Sequence, residues 1–591
     1  MSNDQIPELV LALPDAGATL EHVGGKGASL ARMAAAGLPV PPGFHITTAA
    51  YRCFVAQHGL QAQILAAAAG VAADQPAALE AASRQIVGLF AQHAMPHGIA
   101  EAIRRAYAAL GGGDLPVAVR SSATAEDLPG MSFAGQQETY LNMHGEAMLL
   151  DAVKRCWASL WTARAIGYRA RLRMRRRVAA NQKKQPAFIA MAAARCDALH
   201  VQIQAASSAR ELIDLWHADL LPFFRECSRM LEAGARRDGS AIVFVRSKLS
   251  KLVGEADANA LLSGLSSGAS HLASLGPLVG LDQLARGEID RATYARQYGH
   301  RGPHELEVSI VRPAEDADWI DQQLTGLREA PLDVTTLLAR QKDAQLAAWE
   351  RLQQRYPRQA AGIRRRIERA AAAFRDREAA RSEVIRVFWA LRAFIQRAGA
   401  LTEQGDAIFF LSIDEILALL GGDLAPLANI PARRTTYARY AALPTYPSLI
   451  RGRFDSFAWA ADPQRRSDVF DAHGHSAPVG DAITGFPGAA GVVEGRARVI
   501  ATAEEGEQLQ AGEILVTTVT NVGWTPLFPR AAAIVTDIGA PLSHAAIVAR
   551  ELGIPAVVGC GNATMRLHTG DRVRVDGGQG TVELLRVVDA A

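Results

Sequence analysis

The stretch from Ala533 to Val558 constrains the fold most, because it spells strand, loop, helix and strand in close succession. Ala533–Thr536 is a short apolar, β-favouring run, and the loop after it carries Gly539 and Pro541. A helix is expected over about Ser543–Leu552; Gly553 can close it, and Pro555 prevents its resumption before the apolar run Ala556–Val558. Further strands are expected at Val492–Ile500, Glu513–Val519 and Arg572–Val575, so residues 484–591 read as a compact α/β unit.

His544 falls on the first turn of that helix, directly after Ser543. First-turn amides lack intrahelical partners, and the helix dipole puts partial positive charge there. Imidazolium is disfavoured at such a place, so the ring should be neutral and nucleophilic at pH 7. A phosphoryl group carried on the ring would meet the same favourable field. Position alone favours a histidine that caps the helix or packs in a core.

The rest of the chain divides into three kinds of sequence. Near the N-terminus, Gly24-Gly25-Lys26-Gly27 precedes a helix, and the apolar run Val117–Val119 delivers Arg120 to a hydroxyl- and glycine-rich loop. Lys26 and Arg120 are therefore candidate phosphate contacts, although each motif alone fits an ordinary turn. In the middle, Ile363–Ala398 contains no Gly or Pro. Val384, Val387, Phe388, Leu391 and Ile395 recur there at helical spacing, which predicts a buried face of a bundle helix. Between these regions, residues 152–196 hold twelve Lys/Arg and no Asp or Glu. The basic segment at about 171–205, which overlaps it, reads as a solvated or disordered connector, with phosphate or nucleic-acid binding as its alternative. The dense polar run Tyr298-Gly-His300-Arg301-Gly-Pro-His304-Glu305 reads as a loop with partly exposed histidines, either of which could serve a metal or a proton relay. A Pro-punctuated stretch from Leu443 to Gly480 reads as a linker whose aromatic residues dock on a surface.

Several function classes are disfavoured by composition. The 63 basic and 60 acidic residues leave a formal charge of +3, which gives no reason for the whole chain to seek nucleic acid. The five cysteines are widely spaced without a Cys-x-x-Cys, so neither a disulfide framework nor a thiolate metal site is expected, and a reducing cytoplasm fits. No signal peptide or membrane span is expected.

The tail resembles the mobile phosphohistidine domain of the phosphoenolpyruvate-utilising enzymes. The resemblance rests on Gly488-Ala-Ala-Gly491, Gly512-Glu-Ile-Leu-Val, Trp524-Thr-Pro-Leu-Phe-Pro-Arg, Ser543-His544-Ala-Ala-Ile-Val-Ala-Arg-Glu-Leu-Gly and Asp576-Gly. It implies that His544 is the phosphoryl carrier. One departure is Gly539-Ala540-Pro541, where the family usually has two glycines. The N-terminal motifs, together with Gly37-Leu-Pro-Val-Pro-Pro-Gly-Phe44, resemble the first half of the ATP-grasp domain in the same family. By that resemblance Lys26 and Arg120 hold ATP phosphates, and the loop around Ser132–Gly135 covers them.

The second ATP-grasp half, which brings the acidic Mg2+ ligands, has no counterpart after Asn142 in this reading. The expected fold is thus multidomain, α+β and α/β: a partial ATP-grasp-like domain (1–170), a basic connector (171–205), a helical acceptor or linker domain (206–425), an irregular linker (426–483) and a swivelling phosphohistidine α/β domain (484–591). The polar run at 298–307 resembles the acceptor region of the rifampicin phosphotransferase group. Only about thirty residues follow Gly559, so no pyruvate-binding barrel and no phosphoenolpyruvate synthase activity are expected of this chain alone. The resemblance implies an ATP-dependent dikinase that uses ATP and Mg2+ and passes a phosphoryl group through His544 to a small-molecule hydroxyl. The alternatives are a carrier charged by a partner protein that supplies the nucleotide site, an inactive homologue, and a scaffold using the basic segment on nucleic acid.

Overall fold

The computed structural model describes residues 8–111, 114–122, 138–236, 239–263, 272–330, 333–474 and 482–585. Two compact units divide the chain, Met1–Arg177 and Val178–Ala591.

In the first unit, strand β1 (Val10–Ala12) pairs antiparallel with β2 (Phe44–Ile46), and β3 (Val117–Arg120) pairs antiparallel with β4 (Thr139–Met143). Helices Leu20–Ala35, Pro76–Gln92, His97–Ala109 and Gly145–Ala158 are among those that accompany these sheets. Their apolar faces meet in a core containing Phe54, Ile86, Phe90, Ile103 and Trp157. Phe54 and Phe90 stack with ring centroids 5.6 Å apart.

The basic segment differs from expectation, because a single helix, Ala163–Ala205, runs through it. Its charges are exposed at Arg171, Arg173, Arg175, Lys183 and Lys184. Further along, Phe188, Ala192, Cys196, Leu199 and Ile203 recur at three- and four-residue spacing and enter a core of the second unit. The charge count had masked that apolar stripe.

The second unit is helical before it becomes α/β. Its longest element is the helix Pro357–Leu401, which passes straight through Gly362 and Gly399, the glycines at either end of the Gly- and Pro-free run Ile363–Ala398. Val384, Val387 and Ile395 are buried, while Phe388 and Leu391 pack at the edge of the same cluster, as helical spacing requires. The stretch expected as a linker carries the parallel pair β5 (Leu449–Arg451) and β6 (Val469–Asp471) and the Asp455-capped helix Ser456–Ala461. Phe454 gathers Tyr446, Trp459 and Phe470 around it.

The C-terminal region forms an eight-stranded sheet from β7 (Ile483–Thr484), β8 (Phe486–Ala489), β9 (Val492–Val499), β10 (Ile514–Thr517), β11 (Ala533–Thr536), β12 (Ala556–Val558), β13 (Arg572–Asp576) and β14 (Thr581–Leu584). Its order is β7-β14-β13-β9-β10-β11-β12-β8, with β9 to β12 parallel and the flanks antiparallel. β10, β11 and β12 are buried throughout, as expected of strands covered on both faces. The helix His544–Leu552 connects β11 to β12 and ends at Gly553, whose φ of 71° is left-handed. One core joins Ile547 and Leu552 of that helix to Trp524, Phe528, Leu278 and Phe374, so the histidine helix is pressed between the sheet and the helical region.

Candidate active site around His544

Strand β11 ends at Thr536, and a loop leads to Ser543 in extended conformation (φ −70°, ψ 160°) as the N-cap residue. His544 is therefore the first residue of the helix, as the sequence predicts. Its ring is half-buried and both nitrogens are engaged: Nδ1 lies 3.1 Å from Thr520 Oγ1, and Nε2 lies 3.1 Å from Thr525 Oγ1. A neutral imidazole offers one N–H and one lone pair, so one hydroxyl accepts from the ring and the other donates to it. The Phe528 ring meets the imidazole edge-on at 5.9 Å. Burial pushes the His544 pKa down to about 3, with Arg301 and Arg381 adding to the effect and Glu305 opposing it. The ring is thus uncharged at neutral pH, its lone pair available once the hydroxyl facing it turns aside.

The charges that His544 senses belong to the polar run at 298–307, and there the structure corrects the sequence reading. His300 is 1% exposed rather than partly exposed, and its Nε2 lies 3.0 Å from Ser382 Oγ. Burial, then Arg386, Arg301 and Arg312, hold its pKa well below the usual histidine range. Only His304 keeps solvent contact, 3.8 Å from Glu504. Arg301 and Glu305 are buried together and joined through Nε at 2.7 Å, and Arg381 reaches the same carboxylate at 3.3 Å. Burial raises the Glu305 pKa, but Arg301 and Arg381 outweigh it and keep the carboxyl below its ordinary value. Among the described residues no group of three His, Cys, Asp or Glu side chains could hold a metal ion.

Lys26 and Arg120 lie in the first unit. The glycines expected to precede a helix lie inside one: Lys26 is half-buried within the helix Leu20–Ala35, two residues past a kink at Gly24, and Arg120 is exposed at the end of β3. The glycine loop and the strand end are brought together, since the Gly27 amide donates to Ser122 Oγ at 3.0 Å. Gly24 has φ 73°, and a Cβ there would lie 2.5 Å from Ser122 Oγ, so the approach requires glycine. The loop at Ser132–Gly135, expected to cover phosphates, lies outside the described residues.

Sequence reasoning did not single out Thr520, Thr525 or the Arg301–Glu305–Arg381 group. Thr525 belongs to the stretch Trp524–Arg530 that carries the family resemblance, and the density of charge at 300–307 is visible in the sequence; no local pattern says that either would face His544.

Two family models match the chain: the pyruvate phosphate dikinase AMP/ATP-binding domain over residues 20–184, and the PEP-utilising enzyme mobile domain over residues 509–580. The second contains His544, Thr520 and Thr525. The chain is also similar to the phosphoenolpyruvate synthase of Aeropyrum pernix, 31% identical over 95% of this chain and 56% of that protein. It is similar as well to the phosphoenolpyruvate synthase of Pseudomonas aeruginosa, 30% identical over 97% of this chain and 57% of that protein.

The chain carries an AMP/ATP-binding domain and a mobile domain of the phosphoenolpyruvate-utilising enzymes.

An uncharacterised protein of Mycobacterium bovis is 34% identical over 49% of the chain. The chain spans somewhat more than half the length of the phosphoenolpyruvate synthases it matches, 56% and 57% of the two named above. The arrangement is multidomain, of helical and mixed α/β parts, with the nucleotide-domain match before the mobile-domain match. Among the described residues no helix is long and apolar enough to cross a membrane.

Proposed function

We propose that the chain is an ATP-dependent dikinase-type phosphotransferase in which His544 is the phosphoryl carrier. The observation that carries this reading is a neutral imidazole at the head of a helix, inside a mobile-domain match and bracketed by two hydroxyls. A His544 ring nitrogen attacks the β-phosphorus of ATP; a P–N bond forms, the bond to the α-phosphate oxygen breaks and AMP leaves. Water then removes the terminal phosphate from the pyrophosphoryl group. The remaining phosphoryl group passes to a hydroxyl oxygen of a small acceptor, the nitrogen recovers its lone pair, and the hydroxyl proton goes to solvent.

Within this reading, Lys26 and Arg120 contact the ATP phosphates as a point charge and a planar fork, respectively. The mobile domain, residues 484–591, swivels between the nucleotide and an acceptor region in 206–425. The nucleotide domain is a partial ATP-grasp ending near residue 170. Mg2+, which ATP chemistry in this family implies, finds no group of three His, Cys, Asp or Glu side chains to hold it among the described residues. The nucleotide-domain match over 20–184 favours a self-charging chain over a carrier that a partner protein must charge. Incubation of the purified chain with Mg-ATP is expected to consume ATP and release AMP. Release of ADP alone, or no consumption, would refute the dikinase reading.

A further inference from the structure

The loop Gly299–Glu305 is seated directly on the segment that holds His544. Gly523 lies two residues before Thr525, and a Cβ at Gly523 would stand 2.3 Å from the Pro303 backbone nitrogen. Only glycine permits that approach, so the chain is built to bring this loop against the histidine. His304 and Glu504 mark its outer rim.

Within the loop, Arg301 is 1% exposed. Its Nε and Nη2 face Glu305, but buried Nη1 has no hydrogen-bond partner among the described residues. Arg312 is 0% exposed and gives only Nη1, at 3.3 Å, to the His304 carbonyl; its Nε and Nη2 are likewise without partners among the described residues. Buried guanidinium N–H groups left unpaired are costly, and natural sites rarely keep them without a use. Arg381 is 47% exposed and completes the fork around Glu305 from the solvent side. Arg301 and Arg381 therefore hold more donors than Glu305 accepts, next to a nitrogen that would carry phosphate.

Resting on the phosphohistidine reading above, we propose that Arg301 and Arg381 form the clamp that receives the phosphoryl group borne by His544. Glu305 is the resting counter-ion that keeps both guanidinium planes aligned while the histidine is bare. When the dianionic group arrives, Arg301 Nη1 supplies an unspent donor and Arg381 swings in from its exposed side; a planar fork suits phosphate oxygens in this role. The clamp also defines the acceptor as a molecule that approaches through the Arg381 side, where solvent reaches.

The test uses the full chain phosphorylated on His544 with potassium phosphoramidate and followed by 31P NMR between pH 5 and 9. The second ionisation of the phosphohistidine phosphoryl group is expected to lie about one unit lower in the folded protein than in the urea-unfolded protein. Arg381→Gln, at a half-exposed position that the fold tolerates, is expected to reverse at least half of that depression. Arg301→Lys keeps the charge but loses the fork, and is expected to reverse part of it. A phosphorylated wild type whose titration neither variant moves would overturn the clamp and leave the carrier reading intact. Failure of His544 to take the group from phosphoramidate would overturn the clamp as well, while ATP labelling decides the carrier reading separately.

Discussion

His544 is fixed by two hydroxyls and uncharged by burial, and both facts have measurable consequences. Because its pKa is pushed down to about 3, the ring stays neutral through the range where an ordinary histidine takes up a proton. ATP-dependent labelling of His544 is therefore expected to show no limb near pH 6.5; a half-maximal rate at that pH would mean the ring titrates normally. Stability carries the matching sign. The unfolded state binds a proton below about pH 6.5 that the folded state refuses until about pH 3, so stability falls as pH drops through that window. His544→Asn should flatten the fall in urea midpoint between pH 7 and pH 5. Thr525 is 0% exposed, and Thr525→Val removes a ring partner at nearly constant volume. It is expected to cost about 1–3 kcal/mol in stability. It should also slow labelling on the order of tenfold through loss of ring orientation; an unchanged labelling rate would remove Thr525 from the site. Of these residues the sequence shows His544 plainly, because a helix start can be read from Ser543, Gly553 and Pro555. Thr525 and Arg301 could not be read as neighbours of it, since their meeting is fixed by how residues 299–305 pack on 522–525, a contact across more than two hundred residues.

At the level of elements, periodicity was informative and punctuation less so. The helix Pro357–Leu401 shows the expected buried face, yet it continues through Gly362 and Gly399, because tertiary packing outweighs the roughly 1 kcal/mol that one glycine costs a helix. The helix Ala163–Ala205 was missed for the opposite reason: its basic residues dominate the count while Phe188, Cys196 and Ile203 supply the packing. β10, β11 and β12 were legible because fully covered parallel strands are continuous apolar runs. The pairing order of all eight strands was not, since order depends on contacts distant in sequence. Phe394 sits at 0% exposure where the long helix crosses the core that contains Trp216, with ring centroids 5.1 Å apart. Phe394→Ala should cost about 3–5 kcal/mol in denaturant unfolding of this core; a loss under 1 kcal/mol would mean the helix is not packed as described.

For the whole molecule, two compact units predict more than one unfolding transition by calorimetry rather than a single two-state one. The near balance of acidic and basic residues, which disfavoured a nucleic-acid role for the chain, hides a strong local contrast: positive charge is concentrated on one helix and in the buried Arg301, Arg312, Arg386 and Arg392 group. Of that group Arg301 is near enough to His544 to act on its charge, and the family matches place a nucleotide-domain segment earlier in the same chain. The claim on which these parts converge is that one imidazole carries phosphorus. It is tested most directly by incubating the chain with Mg-ATP labelled at the β-phosphorus and mapping the label by peptide mass spectrometry under alkaline conditions. An acid-labile label on His544, lost in His544→Ala, is the expected result; label that persists in His544→Ala, or maps to another residue, would contradict it.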